Sequence, residues 1–123
     1  MSHSYSYVVK DNDLFGKDVL RAPITGRPLA FQPTIEHTNR QSANKLNHNQ
    51  TVESIVPQVR VVDGQIVSTD AYKATFKFSA LQHIDNKPDA DLAIDALLAY
   101  INANRAAIID GSKPLTAVTL TVG

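Results

Sequence analysis

The feature that most constrains this chain is the dipeptide Asp63-Gly64. It stands between "TVESIVPQVRVV" and "QIVSTDAYKATFKFS", two long runs rich in β-branched and aromatic residues. A two-residue link of this composition predicts a type I′ hairpin, because both central residues need positive φ and Asp and Gly tolerate it. Such a turn also fixes the register of the strands it joins. In "AYKATFKF" the side chains alternate, so Tyr72, Ala74, Phe76 and Phe78 share one face and Lys73, Thr75 and Lys77 the other. The first face is apolar and must be covered. The second is polar and basic.

The rest of the N-terminal two thirds reads as further strands. "YSYVVK" (5–10) predicts a strand, "DNDLFG" its turn and "KDVLRA" the returning strand. "LAFQPTIEHTNR" (29–40) is expected to be extended, with Pro33 at an edge, a strand start or a bulge. Pro57 carries the same implication of an edge or a bulge. "QSANKLNHNQ" (41–50), rich in amides, predicts the loop of a long hairpin.

After Ala80 the period changes. Ala90, Ile94, Leu97, Leu98, Ile101 and Ile108 recur at helical spacing, with Asn86 as candidate cap and Pro88 in the first turn. Asn102 or Asn104 is expected to divide the segment, and Gly111 to end it. The order, strands first and helix last, is that of an α+β fold with an antiparallel sheet. The expected organisation is one domain over 1–123: an N-terminal hairpin (5–28), a main sheet (29–80), a helical segment (86–110) and a C-terminal tail (111–123). "LTAVTLTVG" predicts either a final strand or a loose tail.

A helix is about 10–12 Å wide, whereas strands lie about 4.8 Å apart. One helical segment cannot cover a sheet of this many strands, so a lone copy would leave apolar surface open. An obligate oligomer is expected.

Composition excludes several classes. With 12 Lys+Arg against 12 Asp+Glu the chain is neutral, so no overall basic field marks a nucleic-acid binder. There is no cysteine, hence no disulfide or thiolate metal site. The opening "MSHSYSYVVKDND" lacks the pattern of a signal peptide, and no apolar run is long enough to span a bilayer, so a soluble intracellular product is expected. The four histidines, His3, His37, His48 and His83, show no i, i+3 or i+4 pairing, and hydrolase, P-loop and dinucleotide motifs are missing. His37 and His48 are more simply solvated strand or loop residues than metal ligands. Asp89, Asp91 and Asp95 are explained by the helix dipole and a solvated face. No enzyme, no cofactor and no metal site is expected.

The Lys73/Thr75/Lys77 face gains Thr38 and Arg40 from "HTNR" and Asn49 and Thr51 from "NQTVE". Such a face can take phosphates and bases, although by periodicity alone an ordinary solvated face is the simpler account. A small dimeric domain binding nucleic acid or peptide, without further assembly, is one reading.

The order of pieces gives another. "YVVKDNDLFGKDVLRAP", "TNRQSANK", "TVESIVPQV", "AYKATFKFSA" and "DADLAIDALLAYI" together resemble the coat proteins of single-stranded RNA bacteriophages (leviviruses), over about Tyr5 to Leu115. The resemblance implies a homodimer in which two sheets join edge to edge and the helices reach across the partner, using Ile94, Leu97, Leu98 and Ile101. It implies an icosahedral shell, T=3, around single-stranded genomic RNA, assembled in the host bacterial cytoplasm to give the virion, and binding of an operator hairpin that represses translation. The RNA face would comprise Thr38, Arg40, Asn49, Thr51, Lys73, Thr75 and Lys77. Glu36 and Glu53 depart from the family pattern there, and Tyr72 falls on the opposite, helix side. Contacts between dimers would come from a loop around Val61, Val62, Asp63, Gly64, Gln65, Ile66 and Val67, whose apolar residues alternatively complete a local cluster of the hairpin.

Overall fold

The computed structural model describes residues 3–11, 13, 15–81, 87–112 and 116–120. It divides into two compact units, residues 1–82 and 83–123.

The first unit is a five-stranded antiparallel meander in the order β1-β2-β3-β4-β5: β1 (Ser6–Val9), β2 (Gly16–Arg21), β3 (Thr34–Gln41), β4 (Asn47–Val62) and β5 (Gln65–Leu81). Every neighbour in sequence is a neighbour in space, which is the simplest way for short links to build a sheet. The N-terminal hairpin is therefore not a separate piece but continues the sheet through the β2–β3 ladder, Gly16↔Asn39 to Arg21↔Thr34. Asp63 and Gly64 have φ of 51° and 78°, the type I′ geometry expected of the dipeptide.

Three expectations are corrected. The stretch Leu29–Phe31 is a 3-10 turn, not extended chain, and the strand begins only after Pro33. The amide-rich segment is a tight turn and not a long loop, since β4 already starts at Asn47. Ser42 Oγ donates to Asn44 Oδ1 (2.6 Å) and accepts from the Asn47 amide (3.0 Å), while Lys45 takes φ 61°. Side-chain oxygens thus replace the backbone partners a longer loop would leave to water. Finally, Val61–Val67 is no loop: Val61 and Val62 end β4, Gln65 begins β5, and only Asp63 and Gly64 turn.

Pairing of β3 with β4 stops at Thr34↔Ile55, whereas β4 and β5 stay paired to Val62↔Gln65. From Val56 onward the two strands run on as a ribbon about 24 Å long at ~3.4 Å per residue. Pro57 falls where β4 has left its β3 neighbour behind, one residue before a register shift at Gln58/Val59, so both readings of a strand proline apply to it.

The second unit holds α1 (Lys87–Ala103) and α2 (Arg105–Ile109). The candidate cap Asn86 lies outside the described residues, as do 113–115 and 121–123 of the tail. Asn104 makes the break. Its buried side chain donates from Nδ2 to the carbonyls of Tyr100 (3.1 Å) and Thr116 (2.8 Å), and its Oδ1 accepts from the Thr116 amide (2.9 Å). It thereby pins residues 116–120, which form no regular strand, back onto the helical segment. Gly111, at φ 76°, closes α2 with Ser112 N–H to Ala107 O and Gly111 N–H to Ile108 O, the paired bonds of a Schellman end.

Among the described residues neither unit has a core of its own. Among the described residues, prolines aside, Ala22 is the only apolar residue that is buried. No residue of α1 is buried, and Leu92, Leu97, Leu98, Tyr100 and Ile101 are exposed.

Replacing Asn104 by Ala should cost about 1–3 kcal/mol in denaturant unfolding, since three hydrogen bonds go and two backbone groups are left without a partner. It should also speed proteolysis after residue 112. Asn102→Ala, which removes only the exposed hydrogen bond of Asn102 Oδ1 with Arg105 (2.6 Å), should change stability by a few tenths, about 0.2–0.5 kcal/mol. Equal effects of the two would show that Asn104 has no special place.

Candidate nucleic-acid interface

The ladders decide which residues share a face, because residues paired across an antiparallel sheet point the same way. Thr38 pairs with Thr51, and Thr51 with Lys77. Arg40 pairs with Asn49, and Asn49 with Ser79. Glu36, Glu53 and Thr75 form a third row, and Thr34, Ile55 and Lys73 a fourth. All seven residues singled out in the sequence, Thr38, Arg40, Asn49, Thr51, Lys73, Thr75 and Lys77, therefore lie on one face. They come from three strands.

The β2 ladder adds two cations that reading by strand did not find. Lys17 pairs with Thr38 and Arg21 with Thr34, so both join this face. The alternation Lys17, Val19, Arg21 was visible in "KDVLRA", but the register that turns it toward Lys73 and Lys77 spans strands far apart in sequence. The face thus carries Lys17, Arg21, Arg40, Lys73 and Lys77 against Glu36 and Glu53. Rows are about 6.8 Å apart along the strands and the steps between strands about 4.8 Å. Lys77 and Lys73 are then ~13 Å apart, and Lys17 is ~14 Å from Lys77 along its row.

Both carboxylates are engaged. Lys17 Nζ lies 2.9 Å from Glu36 Oε1, and Thr75 Oγ1 donates to Glu53 Oε2 at 3.3 Å. Ser79 Oγ donates to Asn49 Oδ1 at 2.7 Å. Arg40, Lys73 and Lys77 have no ion pair among the described residues, and all three are exposed. Exposed cations without a carboxylate partner are available to an anionic ligand.

The opposite face carries Tyr72, Ala74, Phe76 and Phe78 with Val52, Val56, Ile35 and Leu20. Tyr72 is 66% exposed and Val56 is exposed as well, while Phe76, Phe78, Val52, Ile35 and Leu20 are half-buried. The far end of this face turns polar. His37 Nε2 and Gln50 Oε1 are 2.6 Å apart, with His37 the donor because an amide oxygen can only accept. Gln50 Nε2 in turn lies 3.4 Å from His48 Nδ1. A small cavity of about 140 Å³ beside them is lined by Asp13, Asp18, His37, Asn39 and Gln50. Among the described residues no three His, Asp or Glu side chains gather as a metal site would need.

No protein-family model and no curated protein matches the chain. Solved structures do. The virus-like particle of bacteriophage AC superposes with a TM-score of 0.79 at 25% identity, covering 92% of this chain and all of that one (100%). The virus-like particle of bacteriophage NT-391 gives 0.75 at 18% identity, covering 94% and 97%. The coat protein of bacteriophage EMS014 gives 0.69 at 14% identity, covering 95% of this chain and 70% of that one. The chain has the fold of the RNA bacteriophage coat proteins, an antiparallel sheet followed by helices, and the family resemblance of its sequence agrees with these neighbours. Coat proteins are not enzymes, and the non-catalytic reading stands with them.

Glu36 and Glu53 sit directly opposite each other. Like charges so placed destabilise a sheet by roughly 0.2–1 kcal/mol. Glu53→Gln keeps an acceptor for Thr75 and removes the repulsion, so it should raise stability by up to that amount in chemical denaturation and strengthen retention on a polyanion such as heparin. A fall in stability would show that attraction to neighbouring cations holds Glu53 in place.

Proposed function

We propose that the chain is a viral coat protein that dimerises and assembles into an icosahedral shell around single-stranded RNA. The observation that carries this reading is the coat-protein fold in a chain whose described residues bury almost no apolar side chain. Two apolar surfaces, the Phe76/Phe78 face and the Leu97/Leu98/Ile101 stripe of α1, both need a partner, and a second copy provides both at once. β5 is 17 residues long and, among the described residues, has a neighbour only on its β4 side. A long edge of this kind templates pairing. Antiparallel pairing of two β5 edges satisfies it and makes one sheet of two, with a basic face doubled about the two-fold axis.

On that face Arg40, Lys73 and Lys77 hold phosphates, and Thr38, Asn49, Thr51 and Thr75 add hydrogen bonds. General packaging of RNA fits better than readout of a particular hairpin, because Glu36 and Glu53 interrupt the cations and Tyr72 lies on the other face. The virion is the site of action. Repression of translation through an operator hairpin and a T=3 shell are extensions of the same reading. The β4–β5 ribbon beyond Ile55 supports a role between dimers: a two-stranded ribbon is marginal alone, and at its tip Val61 is 69% and Val62 41% exposed.

Electron microscopy of the expressed protein tests the function. Uniform particles containing host RNA are expected, whereas discrete dimers at every concentration would favour a regulatory binding domain. Deleting Asp63–Gln65 should leave folded dimers but stop or resize the shell, as seen by sedimentation; unchanged particles would remove the ribbon tip from the interface between dimers.

Lys73→Gln together with Lys77→Gln should weaken RNA binding and flatten its dependence on log salt by about 0.7–0.9 for each phosphate no longer neutralised. An unchanged slope, with folding verified by circular dichroism, would place these lysines away from the RNA.

A further inference from the structure

β2 begins two residues too late to pair the end of β3. Its last partner is Asn39, through Gly16, so Arg40 and Gln41 extend beyond β2. Before Gly16, Asp11 and Asp13 are held by side-chain carboxylates. Asp11 N–H donates to Asp18 Oδ1 (2.7 Å), Asp13 N–H donates to Asp11 Oδ1 (2.9 Å), and a side chain on Gly16 would run into the Asp11 carboxylate. The gap left at the corner of the sheet is a cavity of about 450 Å³, lined among others by Phe15, Lys17, Thr38, Arg40 and Gln41. Phe15 is half-buried, and Lys17, Thr38 and Arg40 belong by register to the cationic face. The cavity is therefore continuous with that face.

We infer that this corner is a nucleobase site, in which an unpaired base of single-stranded RNA stacks on the Phe15 ring while Arg40 holds its phosphate. The inference rests on the RNA reading of the face and adds to it a base-binding position that the strand alternation does not contain. An aromatic ring supplies a stacking surface that every base can use. A guanidinium without an acid partner supplies the charge, in a planar form suited to phosphate and to stacking. Thr38 and Gln41 present hydroxyl and amide groups of the kind that meet base edges. From Lys77 through Thr51 and Thr38 the row reaches the corner in about 10–14 Å, at ~4.8 Å per strand. An RNA strand held at Lys77 arrives there within a few nucleotides.

The chain contains no tryptophan, so Phe15→Trp introduces a single indole reporter that preserves the aromatic surface. The test uses the full-length protein freed of host RNA, with short single-stranded adenine oligonucleotides, an abasic oligomer with the same number of phosphates, and a free adenine mononucleotide. Oligonucleotide should quench the indole, while the abasic oligomer binds, by anisotropy of an end label, without quenching. In the otherwise unaltered chain Phe15→Leu, which keeps apolar volume but no π-face, should lower oligonucleotide affinity by roughly 5- to 150-fold with the salt slope unchanged, and Phe15→Tyr should restore it. Quenching by the abasic oligomer, or binding of oligonucleotide without quenching, overturns the base site and leaves the RNA face intact. Equal quenching by the mononucleotide assigns the corner to free nucleotides and overturns the RNA strand as its ligand. No binding of any oligomer at low salt overturns the site together with the RNA reading beneath it.

Discussion

Everything else in the sheet depends on the register of β4 against β5. Side chains alternate with a period of two, so a slip of a single residue would send Phe76 and Phe78 to the cationic side and Lys73 and Lys77 to the apolar one. The two-residue turn prevents the slip. Asp63 and Gly64 both occupy positive φ, a conformation that matches the right-handed twist of the flanking strands and admits no extra residue. From that turn Val62↔Gln65 leads, past one shift at Gln58/Val59, to Asn47↔Leu81 at the far end. The shift lies in the ribbon, beyond the last β3 pair, so it bends the projecting arm without disturbing the faces of the main sheet.

A second constraint is what this arrangement leaves undone. A sheet one layer thick has no interior of its own, and the helical unit buries none of the residues of its long helix. The side chains that would form a core in an ordinary domain of this size are half-covered or open. Apolar area removed from water is the main favourable contribution to folding, and in the proposed assembly the missing part comes from association between copies. The proposed dimer is then not an accessory to the fold but the state in which the fold is completed. For such a protein stability is tied to its own concentration.

How much of this was legible in the sequence follows the range of the interactions. The turn at Asp63-Gly64, the alternation from Tyr72 to Phe78 and the stop at Gly111 are set by neighbours a few residues apart, and each was readable; the break was readable only as Asn102 or Asn104. Thr38, Arg40, Asn49 and Thr51 were readable as pairs on their own strands. What was not readable is non-local. Lys17 and Arg21 join the cationic face only through the β2–β3 ladder, and the cavity at Phe15 exists only because one strand starts later than its neighbour extends. The short turn after Gln41 was misjudged for a related reason: Ser42, Asn44 and Asn47 read as loop by composition, but here their oxygens tighten the bend.

The neutrality of the chain hides how its charge is arranged. On the proposed RNA face the cations do not form one field. Lys17 and Lys77 share a row, Arg21 and Lys73 lie at the two sides of another, and the row between them carries Glu36 and Glu53. With a Debye length near 8 Å at physiological salt and rows about 6.8 Å apart, a phosphate above one row still feels the carboxylates of the next. An RNA strand crossing the middle row would meet repulsion there, whereas one following a cationic row from β5 toward β2 would not. The same carboxylates that argue against a tight hairpin site therefore give the face a direction. Lys17 is paired with Glu36 and Arg21 is half-buried, which leaves Arg40 and the lysines of β5 as the exposed cations without an ion pair among the described residues. Weak, oriented and sequence-tolerant binding of this kind suits the proposed shell, which would package a long polymer with many local sequences. It also makes the open corner beside Arg40 the natural place for any base preference to arise, because there an aromatic ring stands beside the end of a cationic row.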